Sequence, residues 1–380
     1  MAAEFDEALL DDPQARTVLD HGRLLWSLAG AGAQVRHAVE TLAEFDPAPL
    51  AGQRPRAVLL AGDEAAHGAL RVLAQLIAPS APVVLWAGAE LPEWAGPLDA
   101  LLVAALDGRH PRVVSIVGQA GRRGLLTAVA APTRSPVAEA AGRSPVAVLE
   151  VANPRVMLWA ALTPLLQAAA ALGVVSVDAE LLEQVADALD AVAESVRPDA
   201  DMFTNPAKSL AADLAASSAL VAGAGPLAAM AAGLFAADLR LLAGSPAVAI
   251  RLPDQLATGA ALLQAGPESA GAPYDFFRDR IEAEPTRPRL VLVGDDAAGG
   301  PVVGVPTWTP LDESAAARAA GALREIAAAH GAPAVTVQVP PGPALCRFAS
   351  ATAFGAFTAT YLALGLGIDP SAPRPGEVAQ

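Results

Sequence analysis

The sequence holds one cysteine, Cys346, and one lysine, Lys208, among its 380 residues. A lone thiol excludes an intramolecular disulfide framework and any zinc cage built from cysteines. Aromatic side chains make up only 4% of a chain that is 53% hydrophobic, so Ala, Leu and Val must build the core. Positive charge is scarce too: 25 Lys and Arg face 40 Asp and Glu, a formal net charge of −15. Such a chain lacks the basic footprint that nucleic acid or an anionic membrane requires. No basic-then-apolar leader opens it, because residues 1–12 are acidic. The apolar run 156–177 is interrupted by Thr163, Pro164, Gln167 and Gly173 and reads as buried helix, not as a membrane span. The expectation is a cytoplasmic protein with neither nucleic-acid nor membrane partners, and with no cofactor or metal.

What is present is a rhythm of short apolar runs alternating with amphipathic ones. Residues 12–45 carry Leu19, Leu24, Leu25, Leu28, Val35 and Val39 at near-helical spacing, and 47–55 reads as a linker. Strands are expected at 57–61, 83–87, 101–105, 126–130 and 146–151, with helices at 65–77, 111–122 and 155–172. A second series has helices at 178–195, 207–216, 227–242, 311–330 and 344–366. Its strands are expected at 220–224, 247–250, 290–293 and 335–339, with an irregular crossover at 266–289. Strands alternating with helices imply parallel sheets covered on both faces. The predicted class is α/β, with two doubly wound parallel-sheet subdomains and a ligand cleft at the strand C-termini between them. The expected organisation is N-terminal helices over 1–55, a first subdomain over 56–173, a second over 174–369 and a frayed tail at 370–380.

The segment 56–77, RAVLLAGDEAAHGALRVLAQLI, reads as strand, turn and helix. A turn of this kind presents backbone N–H groups at a helix N-terminus, an arrangement suited to an anion. Its residues are Gly62, Asp63, Glu64, Ala65, Ala66, His67 and Gly68, which puts two carboxylates where the anion would sit. A phosphate charge about 4 Å from one of them would be repelled by roughly 4 kcal/mol at an effective dielectric near 20.

Seven segments, taken in order, resemble a known family. They are LPEWAGPLDALLVAA (91–105), SPVAEAAG (135–142), NPRVMLWAALTPLL (153–166), NPAKSLAADLA (205–215), GPLAAMAAGLFAADL (225–239), YDFFRDRI (274–281) and YLALGLGIDP (361–370). They are similar to SIS (sugar isomerase) domain proteins of the bifunctional phosphoglucose/phosphomannose isomerase type, especially the actinobacterial members. The resemblance implies two SIS-like subdomains, a homodimer, and interconversion of glucose 6-phosphate or mannose 6-phosphate with fructose 6-phosphate.

The functional positions that the resemblance implies are largely replaced. Where the family has GMGGSG for phosphate, residues 62–67 read GDEAAH, keeping Gly62 but putting Ala66 at the serine. Where it has SxSGxT, residues 105–110 read ALDGRH, keeping only Gly108. The base position falls on Leu241 and the ring-opening histidine on Ala257, and no histidine lies between 111 and 329. Aldose–ketose isomerisation moves a proton between adjacent carbons and also needs an acid–base group to open the ring; Leu and Ala can do neither. Arg155 matches an arginine that the family keeps at its site. It reads either as retained anion contact or as a salt bridge to a nearby carboxylate.

Other signals are weaker. Arg109 and His110 beside Asp107 could form an anion site at a helix start, or an exposed loop. Asp63, Glu64 and His67 have a spacing that a metal could use, but carboxylates opening a helix are ordinary. The Gly294-Asp295-Asp296 turn has a similar plain reading, and Lys208 after Asn205-Pro206 reads as part of a helix cap. The candidate ligand-binding residues are Arg155, Gly62, Gly108, Arg109 and His110, with a sugar phosphate as the candidate ligand. Three functions stay open: a catalytically degenerate relative with a binding or regulatory role; an active isomerase using substituted residues such as Asp254, Asp107 or Arg155; and an unrelated small-molecule binder on the same fold.

Overall fold

The structure is a computed structural model and describes residues 5–41, 45–149, 157–264, 288–294 and 313–372. It divides into two compact units. Of the described residues, one comprises those of Ala29–Asp190, the other those of Met1–Leu28, Ala191–Gly300 and Pro310–Gln380.

The N-terminal helical region is split into α1 (Ala8–Asp11), α2 (Pro13–Leu19), α3 (Leu24–Ala29) and α4 (Ala31–Glu40). Capping explains the breaks. Asp12 accepts the Gln14 N–H at 2.8 Å with Pro13 at the first helical position, which restarts the chain as α2. The Asp20 carboxylate accepts the N–H groups of Leu24 and Leu25 at 2.6 and 3.1 Å, which starts α3. The expected linker holds a 3-10 turn, Ala48–Leu50.

The first unit contains β1 (Val58–Gly62), α5 (His67–Ile77), β2 (Val83–Leu85), β3 (Ala100–Ala104) and α6 (Pro111–Arg123). They are followed by β4 (Leu126–Ala131), α7 (Pro136–Ala141), β5 (Val146–Val148) and α8 (Leu158–Ala171). The strands pair in parallel in the order β2-β1-β3-β4-β5. Every residue of β1 and β3 is buried, as expected for strands covered on both faces. Leu59, Ala61, Leu101, Val103 and Val129 share a core with Val113, Ile116 and Val117 of α6 and Val137 of α7. The alternate residues face α5 and α8, which pack on each other and cover the opposite side, and α4 packs on α8. Most of α9 (Ala179–Ser195) belongs to this unit, where Arg36 of α4 meets Glu183, Asp187 and Asp190 at 2.6, 2.7 and 2.6 Å.

The second unit contains α10 (Pro206–Ala215), β6 (Ala219–Ala224), α11 (Pro226–Ala243), β7 (Ala247–Leu252) and α12 (Leu256–Gln264). Then come β8 (Arg289–Val293), α13 (Glu313–Ala329), β9 (Ala334–Val337) and α14 (Ala344–Gly365). Its sheet is also parallel, ordered β7-β6-β8-β9. Leu220, Ala222, Ile250, Leu290 and Leu292 pack on Leu263 of α12 and on Ala319, Ala320 and Leu323 of α13. The other face carries α11, which packs on α14.

The α/β class and the two parallel sheets are therefore as the sequence predicts. Expected strand and helix ends coincide with those observed or differ by at most three residues. Helices α7 and α12 are additional to the expected set. Part of the expected strand at 146–151, nearly all of the crossover at 266–289, the start of the helix at 311–330 and most of the tail lie outside the described residues.

Helices α11 and α14 are long and apolar enough to cross a membrane by length and composition alone. The most apolar stretch of α14 is 83% buried inside the protein, which marks it as a core helix, and that of α11 is 39% buried.

Candidate functional site

In both sheets the chain leaves the first strand, adds the second on one side and the third on the other. This order creates a switch point between β1 and β3, and another between β6 and β8, where loops at the strand C-termini diverge around a crevice. At the first of these, β1 and β3 pair from Val58 opposite Ala100 to Gly62 opposite Ala104, so the turns that follow them are neighbours. The approach is close: a Cβ on Gly62 would lie 2.2 Å from the Ala104 carbonyl oxygen.

Asp63 lies in that crevice with 7% of its surface exposed. One carboxylate oxygen accepts the Ala66 N–H at 3.1 Å, and the other accepts the Asp107 N–H at 2.8 Å. The first donor belongs to the turn entering α5, the second to the turn entering α6. Burial pushes the Asp63 carboxyl above its ordinary range, opposed by the N–H groups of Asp107, Ala66 and Leu106 and reinforced by the negative charge of Asp107. The sequence suggested that the two carboxylates of this turn would repel an anion. The structure makes one of them the anion.

The other residues of the turns are arranged around this seat. Glu64, His67, Asp107, Arg109 and His110 are exposed, and Gly108 is buried. Gly108 has φ +67°, and a Cβ there would lie 2.5 Å from the Ser135 Cβ, so both conformation and space call for glycine. Arg112 was not singled out in the sequence. Its guanidinium donates to the Gly62 carbonyl at 2.5 Å and to the Trp86 carbonyl at 3.3 Å. The signal available was its place in the first turn of a helix opening at a strand C-terminus, two residues after His110.

Arg155 lies outside the described residues. Lys208 is fully buried and structural in its contacts. Its ammonium donates to the Leu10 and Ala200 carbonyls at 2.9 and 2.8 Å and to the Asp11 carboxylate at 2.9 Å. Asn205 caps the same helix, accepting the N–H groups of Ala207 and Lys208, both at 3.0 Å.

Leu241 and Ala257 are not brought together. Leu241, 48% exposed, is in the last turn of α11, before β7 begins, and Ala257 is in the first turn of α12, after β7 ends. A six-residue strand lies between them, about 20 Å at the usual rise per residue. Asp254 is exposed and sits 3.6 Å from Arg251. One turn before Leu241 on α11, Asp238 is a carboxylate that sequence reasoning passed over. Burial pushes it up to about 7, partly offset by the charge of Arg240. Nothing in the local pattern FAADLRLL marks it, because the shift comes from helix packing.

Among the described residues no group of three or more His, Cys, Asp and Glu is placed to hold a metal ion. An open depression of about 570 Å³ lies elsewhere in the first unit, lined by Val39, Glu40, Asp46 and Ala171 among others, and shares no residue with the Asp63 turns.

Residues 203–374 match the sequence model of a family described as bacterial phospho-glucose isomerase C-terminal SIS domain. A search of curated proteins finds no match. Among solved structures, a glucose-6-phosphate isomerase like protein from Thermus thermophilus is 18% identical, over 95% of this chain and 94% of its own, with a TM-score of 0.53. A hypothetical protein from the same organism is 13% identical over 99% and 97%, with a TM-score of 0.65. The C-terminal domain of glucosamine-fructose-6-phosphate aminotransferase from Francisella tularensis is 10% identical over 92% and 98%, with a TM-score of 0.58. The chain thus shares the fold of these solved structures along nearly its whole length, and residues 203–374 resemble a SIS domain.

Proposed function

We infer that this chain is a catalytically degenerate relative of the glucose-6-phosphate/mannose-6-phosphate isomerases, serving sugar-phosphate metabolism in the cytoplasm as a homodimeric binding or regulatory protein. One observation carries the reading. The positions that the resemblance assigns to proton transfer are hydrocarbon side chains, Leu241 and Ala257, at opposite ends of β7. General acid–base groups contribute about 10²–10⁴-fold each to such reactions, so their loss removes most of the expected rate. The test is a coupled assay with glucose 6-phosphate and mannose 6-phosphate on rigorously purified protein. Turnover at background supports the reading, and turnover near one per second on either sugar overturns it. Contact with a sugar phosphate falls to Arg155, with Arg109 and His110 as the exposed donors after β3. Calorimetry with fructose 6-phosphate on the wild type and Arg155→Ala measures it: tight binding that survives the substitution rejects this placement.

A further inference from the structure

The Asp63 carboxylate is held as a bound oxyanion would be. Two N–H donors from two separate strand-to-helix turns converge on it, one on each oxygen, at the switch point of a parallel sheet. The turn after β1 is itself fixed from the other side, where the Arg112 guanidinium donates to the Gly62 carbonyl. A carboxylate of the chain has the charge and the acceptor geometry of the ligand such a seat would take, and it is tethered there.

We propose that Asp63 is an autoinhibitory internal anion, whose carboxylate fills an oxyanion seat between the turns after β1 and β3 and keeps phosphate-type oxyanions out. Tethering makes the exclusion strong, because an external ion must displace a group of high local concentration and also meet its charge. The same contact staples the two turns together, so the seat stays ordered without a ligand. The inference rests on the contacts of Asp63 and not on the loss of turnover, and the two can fail separately.

The test uses the full-length protein, inorganic phosphate as probe and chloride at matched ionic strength as control. Asp63→Ala empties the seat. Asp63→Ser also removes the charge but leaves a hydroxyl that can accept the Ala66 N–H as a helix cap, so one folded variant is secured. Two quantities are read: the phosphate-dependent rise in melting temperature, and hydrogen-exchange protection of the Ala66 and Asp107 amides. Expected is a saturable phosphate-dependent rise in the variants that exceeds by several degrees whatever the wild type shows through Arg109 and His110. The two amides should lose protection at least tenfold in the variants and regain it when phosphate is added. An equal phosphate shift in wild type and variants overturns the proposal. So does a folded Asp63→Ser protein whose two amides ignore phosphate.

Discussion

The Lys208 ammonium lies 5.8 Å from the centre of the Tyr361 ring, a cation over an aromatic face inside the second unit. Tyr361 is itself buried and donates its hydroxyl to the Val196 carbonyl at 2.6 Å, and burial holds its phenol well above the usual range. The sole lysine of the chain thus sits where water does not reach, with oxygen acceptors from α1 and the turn before α10.

Lys208→Met keeps the length of the side chain and removes its charge. It leaves the Ala200 carbonyl without its donor and the Leu10 carbonyl with only the Arg16 guanidinium. A loss of about 1–3 kcal/mol is expected, read from urea denaturation, because the Ala200 carbonyl is orphaned, while the pair with half-exposed Asp11 adds little. A change below about 0.5 kcal/mol, the size of an ordinary surface substitution, would contradict the assigned contacts.

Asp63→Asn tests whether both carboxylate oxygens accept. An amide can offer its oxygen to only one of the two N–H groups and sets its own NH₂ against the other. The expected cost is about 1–3 kcal/mol, less whatever is regained by removing a buried charge. Loss of protection at one of the two amides, with the other retained, is the specific signature.

Asp238 gives a pH dependence whose sign can be worked out. Its folded carboxyl is raised to about 7, above the ordinary aspartate value near 3.9, so the folded state holds the proton more tightly than the unfolded chain. Its contribution to stability is therefore full below about pH 4 and is lost as the pH rises through about 7. Asp238→Asn should flatten the melting temperature between pH 4 and 8, with the variant gaining over the wild type at pH 8 and matching it at pH 4.5. Parallel profiles would reject the assignment.

Gly62→Ala places a methyl group against the Ala104 carbonyl. Separating the paired ends of β1 and β3 should cost about 1–3 kcal/mol. Gly96→Ala, whose Cβ would meet nothing within 4 Å, is the control and should stay within about 0.5 kcal/mol.

How much of this could be read from the sequence varies with the range of the interaction involved. Strands β1, β3, β6 and β8 were legible because burial on both faces makes them uninterrupted apolar runs. Helix α7 has only six residues, too few to display a period, although Ser135 and Pro136 are a cap and a first helical residue. The Asp63 turn was recognised as an anion-type turn, but its occupant was not. The Asp107 N–H is 44 residues away in sequence and reaches Asp63 only through the register of β1 with β3. Asp238 was illegible for a related reason, since its proton affinity is set by neighbours that no local pattern names.

The helix α14 is buried along nearly its entire length, and the residues just before α1 attach to its far end: the Asp6 N–H donates to the Gly365 carbonyl at 2.8 Å. During synthesis the sheet β1 to β5 has all its strands once Val148 is made. Helix α1 lacks this docking surface until more than two hundred further residues have followed. At about 5–20 residues per second, it waits on the order of ten seconds or longer with its apolar face uncovered. The residues of α1, made ahead of the first sheet, are thus among the last to reach their native place, and they are where a chaperone would find its hold.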